Sequence, residues 1–410
     1  MTSPLRLFEA AGIELEYMLV HADSLDVAPQ VDRLFASATG QPVSDFSDGP
    51  LTWSNELVRH VMELKVTEPV PSLTGWAQRF QQGINRMNTI AARDNLRLLP
   101  TAMHPWMDPA RETQLWPLES TEIYQTYHRI FDCYRHGWAN LQSMHINLPF
   151  ADEEEFALLH AAIRLVLPLL PALAAASPIM EGRRTGLLDN RLAVYLTNSQ
   201  RFPEITGQAI PEPVYTRAAY QAIVFDPMMR AIAPHDPDGL LEQDFLNARG
   251  AIARFDRGAI EIRLLDVQEC PAADLAIAHW TIHAVRRLVD RQRAGRRADI
   301  AACPVGPLRL LLEKTLLTAE QTPVTDDLFL SLWEWPSGIA CTAGALCDHI
   351  AEDLRMDDPD LTSAWKLLRA EGPLARRMLN TLSPSPTRAE LHHLTGRLAD
   401  ALATGHLFVP

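Results

Sequence analysis

Residues 12–20, GIELEYMLV, decide how the rest of this chain is read. The run enters from a glycine, is otherwise apolar, favours extended backbone, and carries Glu14 and Glu16 with one residue between them. In a strand, side chains two apart leave from one face, so these carboxylates stand roughly 6 to 7 Å apart at the backbone. Neither Lys nor Arg lies near them in the sequence. Parallel carboxylates on an apolar element repel unless a cation sits between them, and hard oxygen ligands suit Mg²⁺ or Mn²⁺ better than Zn²⁺. An isolated pair of this kind is more often a solvated acidic edge than a metal site, because so short a motif recurs by chance. Its meaning depends on what else shares the site.

Composition narrows the function classes. The 410 residues suffice for two or three average domains or for one large sheet with helical additions. With 51 acidic against 37 basic residues the net charge is −14, which argues against nucleic acid or an anionic membrane as partner. A small anionic substrate stays open, because metals and local arginines invert the field inside a cleft. No repeat or low-complexity tract interrupts the chain, so a compact enzyme or binding protein is expected. The start, MTSPLRLFEA, lacks an apolar signal core, and the run LVLPLLPALAAA is too short to span a membrane and holds two prolines. Five scattered cysteines without a C-x-x-C suit a reducing compartment, so a soluble, cytoplasmic protein is expected. Cys341 and Cys347 read as small apolar residues buried in a helix.

After connecting structure over 21–50 comes LTWSNELVRHVMELKVTEP, residues 51–69. Residues 56–67 read as one extended segment carrying Glu56 and Glu63, with Glu68 at its end before Pro69. Glu63, flanked by Met62 and Leu64, is the more conspicuous at a half-buried position. Residues 71–97 have helical spacing, with Leu73, Trp76, Phe80, Ile84 and Met87 on one core-facing stripe. A short strand then runs into a loop where His104, held before Pro105, reads as a turn cap rather than a substrate contact. Residues 120–137 form an amphipathic helix, and LQSMHINLPF is a strand with His145 and Asn147 on one face and Met144, Ile146 and Leu148 on the other.

A long apolar helix over 152–176, broken by Pro168 and Pro171, leads into ASPIMEGRRTGLLDNR. Its Arg183, Arg184 and Arg191 either clamp a phosphate or carboxylate through forked donors or form a solvated charge run. GAIEIRLLD, residues 258–266, alternates as a strand with Glu261 and Arg263 on one face. Such a pair can hold a metal and a transferring phosphoryl group together, or be a surface ion pair worth well under ~1 kcal/mol. From residue 274 onward the chain reads as helices, and its C-terminal third as scaffold able to carry an oligomer contact.

GIELEYMLV, NELVRHVMELKVTEP, TAMHPWMDP, SMHINLPF, ASPIMEGRRTGLLDNR and RGAIEIRLLD occur in the order found in the glutamate-cysteine ligase type 2 family, which this chain resembles over about residues 11–285. That family belongs to the glutamine synthetase superfamily. The resemblance implies an α+β fold: a curved antiparallel sheet of glutamine synthetase and guanidino kinase type with flanking helices. It places the catalytic core at 1–285 and a helical region packed on it at 286–410. It implies two or three Mg²⁺ ions, with Mn²⁺ as a substitute, and ATP and an acid entering from opposite ends of the sheet.

Carried over by residue, Glu14, Glu16, Glu56, Glu63 and Glu261 resemble the metal carboxylates, and His145 the histidine near a metal and the nucleotide phosphates. Arg263 resembles the phosphate-contacting arginine, and Arg191 a candidate for substrate carboxylate or γ-phosphate. Asn147 stands where the family commonly has a second histidine, and an amide can donate to phosphate but cannot change charge near neutrality. Arg249, Arg254 and Arg257 are rivals for one further role, because the spacing before Gly258 departs from the family pattern.

The implied chemistry is ATP-dependent ligation of an acid to an amine, glutamate to cysteine or another amine, through an acyl phosphate. A guanidino phosphotransferase of the same superfamily and a catalytically lapsed binding protein are the alternatives. The first would yield an N-phosphorylated product without an amide, and the second would lack metal carboxylates, none of which is missing from the expected set.

Overall fold

The alternation read in the sequence becomes an eight-stranded sheet in the computed structural model, which describes residues 4–410. Its strands are β1 (Gly12–His21), β2 (Asp45–Asp48), β3 (Leu51–Asn55), β4 (Val61–Val66), β5 (Leu96–Leu99), β6 (Ser143–Pro149), β7 (Ala251–Arg254) and β8 (Ala259–Asp266). The order is β2-β3-β4-β1-β6-β8-β7, with β5 pairing the second half of β1. Every pairing in this sheet is antiparallel, and all eight strands come from one chain.

One face of the sheet is the core. Ile13, Leu15, Tyr17 and Leu19 of β1, Met62 and Leu64 of β4, Met144, Ile146 and Leu148 of β6, and Ile260 and Ile262 of β8 are all buried in a single cluster. Helix Pro271–Arg291 packs against helices Trp76–Ala91 and Glu153–Val166. Of the stripe expected over 71–97, Phe80, Ile84 and Met87 are buried inside Trp76–Ala91, while Leu73 packs just ahead of the helix. The opposite face of β1 carries Glu14 and Glu16, then Met18 and Val20, which belong to a second, smaller apolar cluster. The acidic character is therefore confined to one half of the strand.

Local chemistry moves several expected boundaries. The segment over 56–67 is not one strand: β3 ends at Asn55 and β4 begins at Val61, so Glu56 lies in the connection and Glu63 on β4. The helix expected over 120–137 ends at Phe131, where Asp132 takes a left-handed conformation (φ 56°), and a short turn of helix, His136–Ala139, follows. Pro168 and Pro171 sit in first-turn positions, where a missing N–H costs nothing, so they tighten the chain into a 3₁₀ turn, Leu167–Leu169, rather than stopping it. The run Glu153–Ala174 is thereby long and apolar enough to cross a membrane by length and composition, yet from Glu155 onward it is buried inside the protein.

Cys347 is helical as expected, whereas Cys341 lies in a two-residue strand; all five cysteines are free and buried. His104 is buried: its Nδ1 accepts from the Trp106 N–H at 3.4 Å, the local turn contact expected of it, and its Nε2 lies 2.7 Å from the Leu25 carbonyl oxygen. Helix Pro271–Arg291 runs through position 285, and helix Arg388–Thr404 packs on β5, so residues on both sides of that position share one hydrophobic core.

Candidate active site

The strand registers carry the site. On β1–β4, Glu16 stands opposite Glu63 and Glu14 opposite Lys65; on β1–β6, Glu14 stands opposite His145 and Gly12 opposite Asn147; on β6–β8, Asn147 stands opposite Glu261. Because each neighbour is antiparallel and unshifted here, residues at alternate positions of four strands fall on one face. They line a cleft of about 430 Å³ that holds Glu14, Glu16, Glu56, Glu63, His145 and Glu261 together with Lys65, Arg254 and Arg263. Gly12 permits the close approach at its edge: a Cβ there would lie 3.1 Å from Asn147 Cβ.

In the middle of the row, His145 Nδ1 donates to Glu14 Oε2 at 3.2 Å, and Asn147 Nδ2 donates to Glu14 Oε1 at 2.9 Å. Glu16 Oε2 accepts from the Ser143 N–H at 2.6 Å and from the Ser143 hydroxyl at 2.9 Å. Ser143 has one hydroxyl proton, and Glu16 takes it, so the 3.0 Å contact between Ser143 Oγ and His145 Nε2 must be donated by the imidazole. Both ring nitrogens then carry protons. Burial opposes that charge, but Glu14, Glu16 and Glu261 outweigh it and push the His145 pKa up to about 9.

Glu63 is buried beside Glu14, and burial followed by the Glu14 charge pushes its carboxyl up to about 7. Glu14 lies on the other side of the ordinary range: burial opposes its ionisation, and His145 reverses that to hold it well down. Glu56, pressed by burial and then by Glu16 and Glu63, is pushed well above the carboxylate range. Carboxyls that must take up protons to tolerate one another suit a bound cation. Ligand atoms of Glu14, Glu63 and His145 lie within 4.8 Å of one another, and two hard oxygens with one imidazole fit a divalent ion of the Mg²⁺ or Mn²⁺ kind.

The two ends of the row carry protein cations. Lys65, which the sequence reading passed over, pairs with Glu63 Oε2, an oxygen that also accepts from Ser54 Oγ at 2.8 Å. Burial lowers the Lys65 pKa, and Glu63, Glu14 and Glu56 together raise it further than burial lowers it. At the other end Arg263 Nη2 and Nε donate to Glu261 Oε1 at 2.7 and 3.0 Å, and Arg254 Nη1 approaches Oε2 at 3.5 Å. Glu261 is held below the carboxylate range because Arg263 and His145 outweigh its burial. A register shift between Ile262 and Leu265 sets Arg263 at the bulge, where its N–H donates to Gly250 O at 3.1 Å. Gly250 makes room there, since a Cβ would lie 2.6 Å from Leu264 Cδ1 and would displace that buried side chain.

The remaining arginines separate. Arg249 is buried and gripped by Glu212 at 2.6 and 2.8 Å, which removes it from the three rivals and leaves Arg254 and Arg257 on the cleft. Arg183 and Arg184 belong to a two-stranded hairpin, where Arg183 pairs with exposed Glu181 and Arg184 donates to the Leu379 and Leu382 carbonyls. Arg191 reaches the cleft wall, but its Nε donates to buried Asp266 at 2.5 Å and its Nη2 to Arg263 O at 3.3 Å. Tyr124, Tyr127, Trp138, Tyr195 and Phe245 add an aromatic wall that the strand patterns gave no means of finding. Glu68 is exposed in a bend two residues beyond the end of β4.

Four strands thus bring an acidic row to one cleft, with Lys65 at one end and Arg263 and Arg254 at the other, and comparison with known proteins places the chain. It belongs to glutamate-cysteine ligase family 2, whose family model matches residues 10–301. An uncharacterized protein of Archaeoglobus fulgidus is 29% identical over 401 residues, covering 97% of this chain and 100% of that one. A Bradyrhizobium sp. protein named "Putative glutamate--cysteine ligase 2" is 27% identical over 276 residues, covering 65% of this chain and 58% of its own length. Among solved structures, glutamate–cysteine ligase from Francisella tularensis, in complex with AMP, superposes with a TM-score of 0.61 at 13% identity, covering 98% of this chain and 90% of that one. A bifunctional glutathione synthetase from Pasteurella multocida gives a TM-score of 0.51 at 12% identity over 97% of this chain and 52% of that one. At these identities the structural likeness concerns the fold.

Proposed function

We propose that the protein is an ATP- and Mg²⁺-dependent carboxylate–amine ligase, built on a sheet of the glutamine synthetase type, that forms a γ-glutamyl amide with ADP and phosphate. The observation that carries the reading is the convergence of Glu14, Glu16, Glu63, Glu261 and His145 from four strands on one cleft, with Arg263 at its end. Family membership and the AMP-bound Francisella ligase support it.

A carboxylate does not condense with an amine at neutral pH, because it is ionised and its leaving group is poor. ATP removes the obstacle. A substrate carboxylate oxygen attacks the γ-phosphorus, the bond to the ADP oxygen breaks, and an acyl phosphate forms; the amine then displaces phosphate and loses a proton. Glu14, Glu16, Glu63, Glu261 and His145 would hold the divalent ions, and Glu56 would extend that set toward the connection after β3. Bound there, such ions neutralise the phosphate oxygens as negative charge develops on them.

Arg263, oriented by Glu261, presents a fixed guanidinium to the same oxygens, and Arg254 beside it adds a second. Asn147 supplies an amide donor next to Glu14 and cannot become charged. Arg191, held by Asp266, stiffens the wall next to Arg263. The five buried free thiols suit a reducing, cytoplasmic setting.

The test is ADP release with Mg²⁺ across a panel of acid and amine pairs, beginning with glutamate and cysteine. Acid- and amine-dependent ADP release with an amide product supports the proposal. No turnover with any pair, or an N-phosphorylated product without an amide, overturns it.

A further inference from the structure

We propose that Lys65 is a built-in counter-ion for the Glu63 end of the carboxylate row, so that the nucleotide-free cleft takes up a single divalent ion, at Glu14, Glu63 and His145. This rests on the metal site proposed above and concerns how many ions that site accepts.

The argument is one of charge and position. Five carboxylates line the cleft: Glu14, Glu16, Glu56, Glu63 and Glu261. Three fixed cations face them, Lys65 at one end and Arg254 and Arg263 at the other. Even with every carboxylate ionised and His145 neutral, five against three leaves no more than two negative charges, the charge of one divalent ion. Arg191 does not enter the balance because buried Asp266 already matches it, and Arg257 stands at the rim with 59% of its side chain exposed, where water screens it.

Position agrees with charge. Lys65 is two residues from Glu63 on the same face of β4, opposite Glu14 in the register, and cannot leave that face without breaking the β1–β4 pairing. Its ammonium and the Ser54 hydroxyl both take Glu63 Oε2, so Glu63 has one oxygen left for an ion shared with Glu14 and His145. A second ion between Glu63 and Glu56 would need the oxygen that Lys65 occupies. An ammonium is a compact point charge on a flexible stem, and it reaches Glu63 while facing Glu14 across the register.

The experiment counts ions without relying on turnover. Mn²⁺ is titrated into the full chain without nucleotide, the free ion is followed by electron paramagnetic resonance, and circular dichroism verifies folding. Wild type is expected to bind one Mn²⁺, Lys65→Met two, and Lys65→Arg, which keeps the charge, one. Two or more ions on wild type, or an unchanged count in folded Lys65→Met, overturns the role of Lys65 while leaving the metal site standing. No Mn²⁺ on either protein overturns the metal site itself, and this proposal with it. Should Lys65→Met fail to fold, the wild-type count alone decides: one supports the counter-ion, two or more removes it.

Discussion

Arg263 grips the carboxylate two residues behind it on β8, donating through Nη2 and Nε to the same Glu261 oxygen at 2.7 and 3.0 Å. A forked donor fixed in this way points one edge at Glu261 and keeps the rest of the guanidinium for a ligand. Lysine keeps the charge and loses the fork. Arg263→Lys should lower the rate of ADP release by about 100-fold or more with the protein still folded, a loss of the size seen when one oriented donor is removed from a developing negative charge. Glu261→Ala should abolish turnover, since it removes both a metal carboxylate and the support of Arg263. Near-normal rates in both variants would remove this end of the cleft from the chemistry.

Glu16 separates a ligand role from a structural one. Its carboxylate accepts from the Ser143 N–H and hydroxyl, so Glu16→Ala strands a buried donor and should cost about 1 to 3 kcal/mol of stability. Glu16→Gln keeps an acceptor oxygen for Ser143 and removes the charge. Chemical denaturation should show Glu16→Gln close to wild type and Glu16→Ala weaker, while both lose turnover. A fully active Glu16→Gln would show that the charge at this position is not used.

Much of this site is written in two-residue spacing. Glu14 and Glu16, His145 and Asn147, and Glu261 and Arg263 each repeat at the strand period with apolar residues between them, and that pattern fixes their common face. Lys65 follows the same rule two positions after Glu63, a signal that the sequence reading did not use. Glu56 was misplaced because the β-branched residues after it resemble a strand, whereas Val58 makes only an isolated bridge to Leu115 and the chain turns there. The fate of the arginines was not legible: Arg249 is claimed by Glu212, 37 positions away, and Arg191 by Asp266, 75 positions away. Nothing within one segment names a partner that distant. The aromatic wall was hidden likewise, because Tyr124 and Tyr127 read as one face of a helix until the sheet is placed beside it.

The two arginines at the cleft margin should part company under substitution. Arg191 and Asp266 are both buried, so Arg191→Ala leaves an uncompensated carboxylate and should destabilise the fold by about 3 to 5 kcal/mol. Arg257 lies at the rim with its side chain mostly exposed, and Arg257→Ala should change stability by less than about 0.5 kcal/mol. Urea melts of the two variants test this directly, and similar stabilities for both would contradict the buried pairing. If Arg257 meets an incoming polyphosphate, its loss should raise the KM for ATP and leave kcat nearly unchanged.

The protons held by the metal-free cleft set the last expectation. His145 has a pKa of about 9 against an ordinary 6.5, raised by its carboxylate neighbours against the effect of burial, so its charge stabilises the metal-free fold fully below 6.5 and ceases to as pH rises through 9. Glu63 is pushed up to about 7 by burial and then by Glu14; the unfolded chain ionises this carboxyl from about 4.5 upward while the fold resists, so its contribution also falls, between 4.5 and 7. Both groups must shed a proton to ligate an ion. Divalent affinity should therefore rise with pH, by up to about tenfold per pH unit for each proton displaced, and level off above 9. In a thermal melt, a fixed Mg²⁺ concentration should raise Tm little at pH 6 and by several degrees at pH 9. His145→Gln, which has no proton to displace, should show a flatter dependence above pH 7. A Mg²⁺ shift that shrinks as pH rises would mean that the ion does not bind through His145 and Glu63.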